Sequence, residues 1–140
     1  MVYWVKVNYE RNEYLVDLES LGAFSYNADK KITFWLPNSS IPVIISRQSD
    51  PDSYQRIWDY IAEINLHLSM GNWLKISYDR NEYLIDLDRI STFCQSPNGK
   101  LTFWLPESSI PIIITPQSNA EEYKKIMDFI HQKTGQSFQS

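Results

Sequence analysis

The chain repeats itself. Sliding the 140-residue sequence by 69 positions aligns residues 4–64 with residues 73–133 without a gap, and 29 of these 61 aligned pairs are identical. The run YERNEYLVDL at 9–18 returns as YDRNEYLIDL at 78–87, and ITFWLP at 32–37 returns as LTFWLP at 101–106. Internal similarity of this strength indicates two head-to-tail copies of one structural unit. We therefore divide the chain into a first repeat, residues 1–69, and a second repeat, residues 70–140.

A unit of this length is too small to bury a large core. Surface-to-volume scaling makes isolated domains of roughly 70 residues marginally stable, so such units commonly associate. We infer an ancestral homodimer whose subunits were fused. The joint at 65–72 is short and can join the end of one helix to the first strand of the next repeat. We expect the repeats to pack as one globular unit, an intramolecular dimer with a pseudo-twofold axis.

Hydrophobic periodicity predicts the same elements in each repeat. In the first repeat, period-two alternation indicates strands near 4–9, 14–24, 32–36 and 41–45, with the second strand bending near Gly22. A helix follows, beginning at Asp50 with Pro51 in its first turn, and the equivalent helix begins at Asn119. The predicted fold is α+β. It consists of two tandem β-β-β-β-α repeats, each an antiparallel sheet with one C-terminal helix.

Composition narrows the function classes. The chain is 43% hydrophobic and 21% charged, which is typical of a globular protein. Thirteen basic against seventeen acidic residues give a net charge of −4, which disfavours nucleic acid as a partner because phosphate binding relies on clustered cations. The chain has one cysteine, two histidines and no run of about 18 apolar residues. We expect a cytoplasmic protein with no membrane partner, no cofactor, no metal site and no catalytic residues.

One face of the predicted sheet is the candidate binding or inter-repeat face. The apolar phase of the strands is assigned to the helix, so the opposite face carries indoles and polar groups that are identical between repeats. Such a face is too apolar to remain bare. Either the repeats pack together through it, or it stays open and its indoles stack on a ligand such as an unpaired base. Its principal residues are Trp4, Lys6, Asp17, Trp35, Trp73, Lys75, Asp86 and Trp104.

Two smaller polar features also occur in both repeats. Arg11 and Arg80 lie in predicted hairpin turns, which either only connect strands or form paired recognition turns for an acidic group. Asp17 and Asp86 are expected to pair with Lys6 and Lys75 across adjacent strands rather than to act as acid and base.

The element order and the pairing of two units resemble the small β4-α modules that dimerise in single-stranded-DNA-binding transcriptional regulators, including the plant Whirly proteins. The resemblance covers both repeats at the level of architecture and includes no sequence motif. Short uncharacterised bacterial proteins share this element order more closely. The resemblance implies an α+β dimer-like body and, as a possible activity, binding of single-stranded DNA.

These observations lead to two functional hypotheses. The first is a non-enzymatic binding or regulatory module whose partner is a protein, because the chain is acidic and lacks a catalytic constellation. The alternative is a single-stranded nucleic-acid-binding protein of the transcriptional-regulator type, in which exposed indoles contact bases. Accessibility of Trp4, Trp35, Trp73 and Trp104 distinguishes a sealed face from an open one.

Overall fold

The computed structural model describes residues 3–37, 39–68 and 71–138. The chain is α+β, with antiparallel strands and two helices, as the sequence predicts. The first repeat contains β1 (Trp4–Tyr9), β2 (Asn12–Asp17), β3 (Ala23–Tyr26), β4 (Ile32–Trp35), β5 (Pro42–Ile45) and α1 (Pro51–Leu66). The second repeat contains β6 (Trp73–Tyr78), β7 (Asn81–Asp86), β8 (Phe93–Gln95), β9 (Leu101–Trp104), β10 (Pro111–Ile114) and α2 (Ala120–Thr134).

The prediction of four strands per repeat was wrong, because the long second strand is interrupted. Asp17 Oδ1 accepts a hydrogen bond from the Glu19 backbone N–H at 3.1 Å and so starts a 3₁₀ turn at Leu18–Ser20. Asp86 starts the equivalent turn at Leu87–Arg89. A side chain that caps a nearby N–H offers the backbone an alternative to the sheet ladder. The interruption turns one predicted strand into two, which then belong to different sheets.

The strands form three antiparallel sheets, so the expectation of one separate sheet per repeat was also wrong. They are a two-stranded sheet (β1-β2), a five-stranded sheet (β5-β4-β3-β7-β6) and a three-stranded sheet (β10-β9-β8). The central sheet draws strands from both repeats, since β3 pairs with β7 in the register Ala23↔Ile85, Phe24↔Leu84, Ser25↔Tyr83 and Tyr26↔Glu82. The repeats are therefore joined by main-chain hydrogen bonds.

This joining occurs once. The pairing equivalent to β3–β7 would place β8 against β2, but within the described ranges β8 pairs with β9 alone and β2 with β1 alone. The pseudo-twofold arrangement that we expected is not confirmed. Within the described residues, the edges of β2 and β8 that correspond to this contact are instead left unpaired.

Two apolar cores lie on opposite faces of the central sheet. The first core contains Val5, Val7, Val16, Leu18, Leu21, Phe24, Ile32, Phe34, Val43, Ile45, Tyr54, Ile57, Ile61 and Leu84. The second contains Ala23, Trp35, Leu74, Ile76, Tyr83, Ile85, Leu87, Leu101, Phe103, Leu105, Ile112, Ile114, Ile126 and Ile130. Each core includes residues of the other repeat, namely Leu84 in the first core and Ala23 and Trp35 in the second. The cores therefore depend on the contact between repeats.

Polar contacts fix the helices against the sheets. Asp50 caps no helical N–H with its side chain, but its Oδ2 accepts a hydrogen bond from the Asn8 backbone N–H at 2.9 Å. Arg56 of α1 donates to the Trp4 carbonyl at 3.1 Å, and Lys125 of α2 donates to the equivalent Trp73 carbonyl at 2.7 Å. Neither α1 nor α2 is long and apolar enough to cross a bilayer, and the same is true of any other helix in the described residues.

Candidate functional site

The tryptophan-bearing face is divided by the contact between the repeats. Leu15 is 69% exposed, whereas its equivalent Leu84 is fully buried beside Phe24. Trp35 is 7% exposed, whereas its equivalent Trp104 is 40% exposed. Trp4 is exposed, and its equivalent Trp73 is half-buried with its ring 6.2 Å from that of Phe24. Leu84 and Trp35 are thus buried on opposite faces of the central sheet, in the first and the second core, whereas Trp4, Leu15 and Trp104 stay exposed.

The charged residues of this face do not form the expected pairs. In the β1–β2 register Lys6 lies opposite Leu15, and its Nζ is 3.9 Å from Glu13 Oε2 instead of contacting Asp17. Lys75 is exposed and has no carboxylate partner among the described residues. Asp17 and Asp86 are engaged in starting their 3₁₀ turns, and Asp86 also contacts Arg89 at 3.3 Å. The expected Lys–Asp pairing was wrong because the carboxylate oxygens of Asp17 and Asp86 instead accept hydrogen bonds from backbone N–H groups two residues further along the chain.

The two arginine turns have the same backbone but different surroundings. Arg11 and Arg80 both adopt a left-handed conformation, with φ of 68° in each case. Arg11 is exposed at the outer end of the β1–β2 hairpin. Arg80 instead lines a groove that we call the inter-repeat groove, with a volume of about 480 Å³. The groove is lined by Tyr26, Asn27, Ala28, Lys30, Trp58, Ser77, Arg80, Asn81 and Glu82.

Aromatic rings form one side of the inter-repeat groove. Tyr26 at the end of β3 meets Trp58 of α1 edge to face, with ring centroids 5.2 Å apart. Trp58 also stacks on Tyr54, with centroids 6.1 Å apart and an interplanar angle of 4°. Tyr54 is held in turn by a hydrogen bond from its hydroxyl to the Lys30 carbonyl at 2.5 Å. Packing thus fixes the rings, while Tyr26 and Trp58 stay partly exposed to the groove.

Cations and amides line the remaining walls. Lys30 and Arg80 are exposed, and neither has a carboxylate partner among the residues that the structure describes. The one acidic lining residue, Glu82, accepts a hydrogen bond from Ser77 Oγ at 2.7 Å. The Asn81 amide nitrogen donates to the Asp79 carbonyl at 3.3 Å. The groove therefore combines fixed aromatic surface with two available positive charges.

Lys30 adopts an unusual backbone conformation. Its φ of 60° lies in the left-handed region, and the equivalent residue of the second repeat is Gly99, with a φ of 86°. Glycine takes this conformation without steric cost, whereas a lysine there is strained. The first repeat therefore carries a lysine at the groove where glycine suits the backbone better.

Burial perturbs two titratable groups at the contact between repeats. Tyr83, opposite Ser25 in the central sheet, has its pKa raised, chiefly by desolvation. Burial lowers the pKa of Lys125, whose Nζ donates to the carbonyls of Trp73 and Leu68. Tyr83 lies on the strand pair that joins the repeats, Lys125 connects α2 with β6 and the joint, and both residues lie outside the groove lining.

The sequence reasoning missed the aromatic part of this groove. It considered residues that are identical between repeats, whereas Tyr26 is replaced by Gln95 and Trp58 by Met127 in the second repeat. A signal was nevertheless present, because two aromatic residues lost at equivalent positions indicate that the repeats differ in one local role. Arg80 was identified, but its proximity to Tyr26 depends on a strand pairing that the repeat pattern does not specify.

Other reactive groups do not form a cluster. Cys94, the single cysteine, is exposed on β8. No group of three or more histidine, cysteine, aspartate or glutamate residues in the described part of the chain is arranged to hold a metal ion.

Comparisons with known proteins give one distant likeness. No family model and no curated protein matches the chain. A solved structure, the LytTr DNA-binding domain of a putative methyl-accepting/DNA response regulator from Bacillus cereus, is similar over 88% of this chain and 95% of its own, with 10% identity and a TM-score of 0.49. The expected resemblance to the Whirly-type regulators is not confirmed.

This finding requires one correction. The acidic composition led us to expect that nucleic acid is a disfavoured partner. The likeness to a DNA-binding domain contradicts that expectation. Net charge averages over the whole surface, whereas a binding site depends on the charges at one place. Lys30 and Arg80 are such local charges at the inter-repeat groove.

Proposed function

We propose that this chain is a nucleic-acid-binding regulatory module that holds an unpaired stretch of strand in the inter-repeat groove. The observation that carries the proposal is the position of Tyr26 and Trp58 beside Lys30 and Arg80. Base-stacking rings flanked by cations are the recurring elements of single-strand binding sites. One base stacked on the partly exposed Trp58 indole, with two phosphate contacts to Lys30 and Arg80, would fit this arrangement.

The net charge of the chain determines how much binding affinity the rings and the cations can each contribute. A chain with a net charge of −4 repels a polyanion at long range. Affinity in the groove must therefore come mainly from stacking. Alanine substitutions in single-strand-binding proteins show that stacking contributes about 1–3 kcal/mol of binding free energy per base. Lys30 and Arg80 then fix the backbone of the strand.

The second repeat supplies a natural control for the rings. Trp58→Met gives α1 the residue that α2 carries at the equivalent position, Met127. Loss of one stacked base should weaken the binding of labelled oligo(dT) about 5- to 150-fold, measured by fluorescence anisotropy at low salt. Circular dichroism of the same samples shows whether the fold is kept. Unchanged affinity in a folded Trp58→Met variant would contradict the proposal.

The cations are tested by salt dependence. Two phosphate contacts to a single strand predict a slope of log affinity against log salt of about −1.4, since each contributes about −0.7. Lys30→Gly, which copies Gly99, and Arg80→Gln should each reduce the slope by about half. Arg11→Gln is the matched control, because its turn has the same φ but lies outside the groove. Equal effects of Arg11→Gln and Arg80→Gln would show that the groove is not the site.

A binding role rather than a catalytic one is proposed because the carboxylates with assigned contacts have structural tasks. Asp17 and Asp86 hold 3₁₀ turns, and Asp50 holds β1 against α1.

We also propose that the two repeats arose by fusion of two copies of one ancestral unit. The 29 identities in 61 ungapped pairs, and the same order of elements in both repeats, support this origin.

A further inference from the structure

The contact between the repeats uses two different surfaces. The first repeat contributes β3, and the second contributes the edge of β7. The first repeat also has an edge equivalent to that of β7, which is β2, and the second has a strand equivalent to β3, which is β8. Both are unpaired on their outer sides within the described residues. The two ends of the molecule therefore present the two halves of a contact that the chain already makes internally.

We propose that copies of this chain associate head to tail, with β8 of one copy pairing with β2 of the next in the register of β3 and β7. Shifting that register by 69 positions places Phe93 opposite Leu15, Cys94 opposite Tyr14 and Gln95 opposite Glu13. A contact between unlike surfaces closes into a ring or continues as a chain of subunits, depending on the rotation between neighbours.

The side chains at the two ends have the character that this contact requires. At the internal contact, Phe24 and Leu84 are fully buried and Ser25 is nearly so. Their equivalents at the open edges, Phe93, Leu15 and Cys94, are all at least partly exposed. A sheet edge with exposed apolar side chains is a template for pairing with another chain. A second copy supplies the same residues that bury this edge inside the molecule.

A cavity marks the position of the incoming indole. At the internal contact, Trp73 packs beside Phe24 of the preceding repeat. The equivalent indole at the open edge is Trp4 of a second copy, and its neighbour would be Phe93. A cavity of about 430 Å³ is lined by Phe93, Ile130 and the C-terminal segment that includes Phe138. It provides space for Trp4 next to Phe93, with displacement of Phe138 if the indole enters fully.

One substitution between the repeats makes the external contact weaker than the internal one. Gly22 lies so close to the other repeat that a Cβ there would be 2.8 Å from Pro106 Cβ and from Arg89 Cδ. The equivalent of Gly22 is Ser91, whose Cβ would approach Pro37 of the second copy. The proposed contact must open slightly at this end. Ser91→Gly should therefore tighten the association, and a weaker association of this variant would contradict the shared geometry.

The primary test is sedimentation velocity of the full chain over a concentration series. The average mass should rise from that of one chain towards that of two or more, and a constant monomer mass would overturn the proposal. Leu15→Glu should weaken the association about 30-fold or more, because it places an unpaired charge in the contact. Leu15 is exposed in the monomer, so the Leu15→Glu variant should still fold. Leu66→Glu is the matched control, since Leu66 is exposed on α1 outside the contact.

Mixing two variants distinguishes unlike from like surfaces. Leu15→Glu blocks the β2 end, and Cys94→Glu blocks the β8 end. At a concentration at which the original chain is only partly associated, each variant alone should remain monomeric, while an equimolar mixture should form a dimer through the one intact pair of ends. Assembly of Cys94→Glu alone would show that two β2 edges meet, and a monomeric mixture would equally overturn the proposal.

The register has its own test. Cys94 lies opposite Tyr14 in the proposed pairing, and directly opposed residues of antiparallel strands have Cα separations within the range of a disulfide. The Tyr14→Cys variant should therefore form disulfide-linked oligomers under oxidising conditions. Asn8→Cys, on the neighbouring strand β1, is the control. Equal cross-linking of the two variants would contradict the register.

Discussion

The centre of the molecule and its two ends contain the same residues in different environments. Leu84 and Trp35 are buried at the contact between the repeats, whereas Leu15 and Trp104 occupy equivalent positions and are exposed. The difference comes from one strand pairing, β3 with β7, which has no counterpart at the ends. Identity between repeats therefore indicates common ancestry and common local geometry, but it does not indicate a common role.

The largest expected difference between the two environments concerns the tryptophans. Trp35→Ala should lower the free energy of unfolding by about 3–5 kcal/mol, because it empties a position in the second core. Trp104→Ala should cost less than about 1.5 kcal/mol, since this indole is already partly in water. Urea denaturation at low protein concentration measures both. Equal losses would show that the contact between the repeats does not bury Trp35 in solution.

A smaller effect is expected at the close approach of the repeats. Gly22→Ser copies the residue of the second repeat into a position where a Cβ would meet Pro106 and Arg89 at 2.8 Å. Overpacking of this kind costs about 1–3 kcal/mol of folding free energy. Ser91→Gly should leave the stability of the monomer nearly unchanged, because Ser91 is exposed. A Gly22→Ser variant as stable as the original would mean that the repeats are less closely joined at this point.

The smallest effect is the pH dependence that Tyr60 of the first repeat contributes to stability. Desolvation, followed by the nearby Glu19, raises the pKa of Tyr60 from 10.0 to about 12. Between these values the unfolded chain loses its phenolic proton before the folded one, so stability falls as pH rises from about 10 to about 12. Tyr60→Phe, which copies Phe129, should remove this component and give a shallower decline. Urea midpoints of both proteins across this range test it, and parallel curves would contradict the shift.

Local structure was largely accessible from the sequence. The segment Ser96-Pro97-Asn98-Gly99 has the residues that favour a tight turn, and the turn forms with a hydrogen bond from the Gly99 N–H to the Ser96 carbonyl at 2.9 Å. The helix beginning at Pro51 and the alternation that buries Val5 and Val7 were also predicted correctly. These features depend on residues close in sequence, where capping, turn preference and periodicity act directly.

The pairing of strands between the repeats could not be predicted from the sequence in the same way. β3 can satisfy its hydrogen bonds with a strand of its own repeat or with the equivalent strand of the other, and two similar repeats offer nearly the same side chains in both cases. The break at Asp17 separates β2 from β3, and β3 pairs with β7 of the other repeat. The groove between Trp58 and Arg80 forms only when β3 pairs with β7. Sequence analysis could therefore name some of its residues but could not predict that they lie close together.

Because each core includes side chains of the other repeat, we expect the two halves of the chain to fold together. Heat or denaturant should melt the whole molecule in one transition, and a fragment ending in the joint would expose the apolar edge of β3. Evolution of one repeat is constrained by the other through this edge. Substitutions are therefore easier to accommodate at the hairpin tips than along the shared sheet.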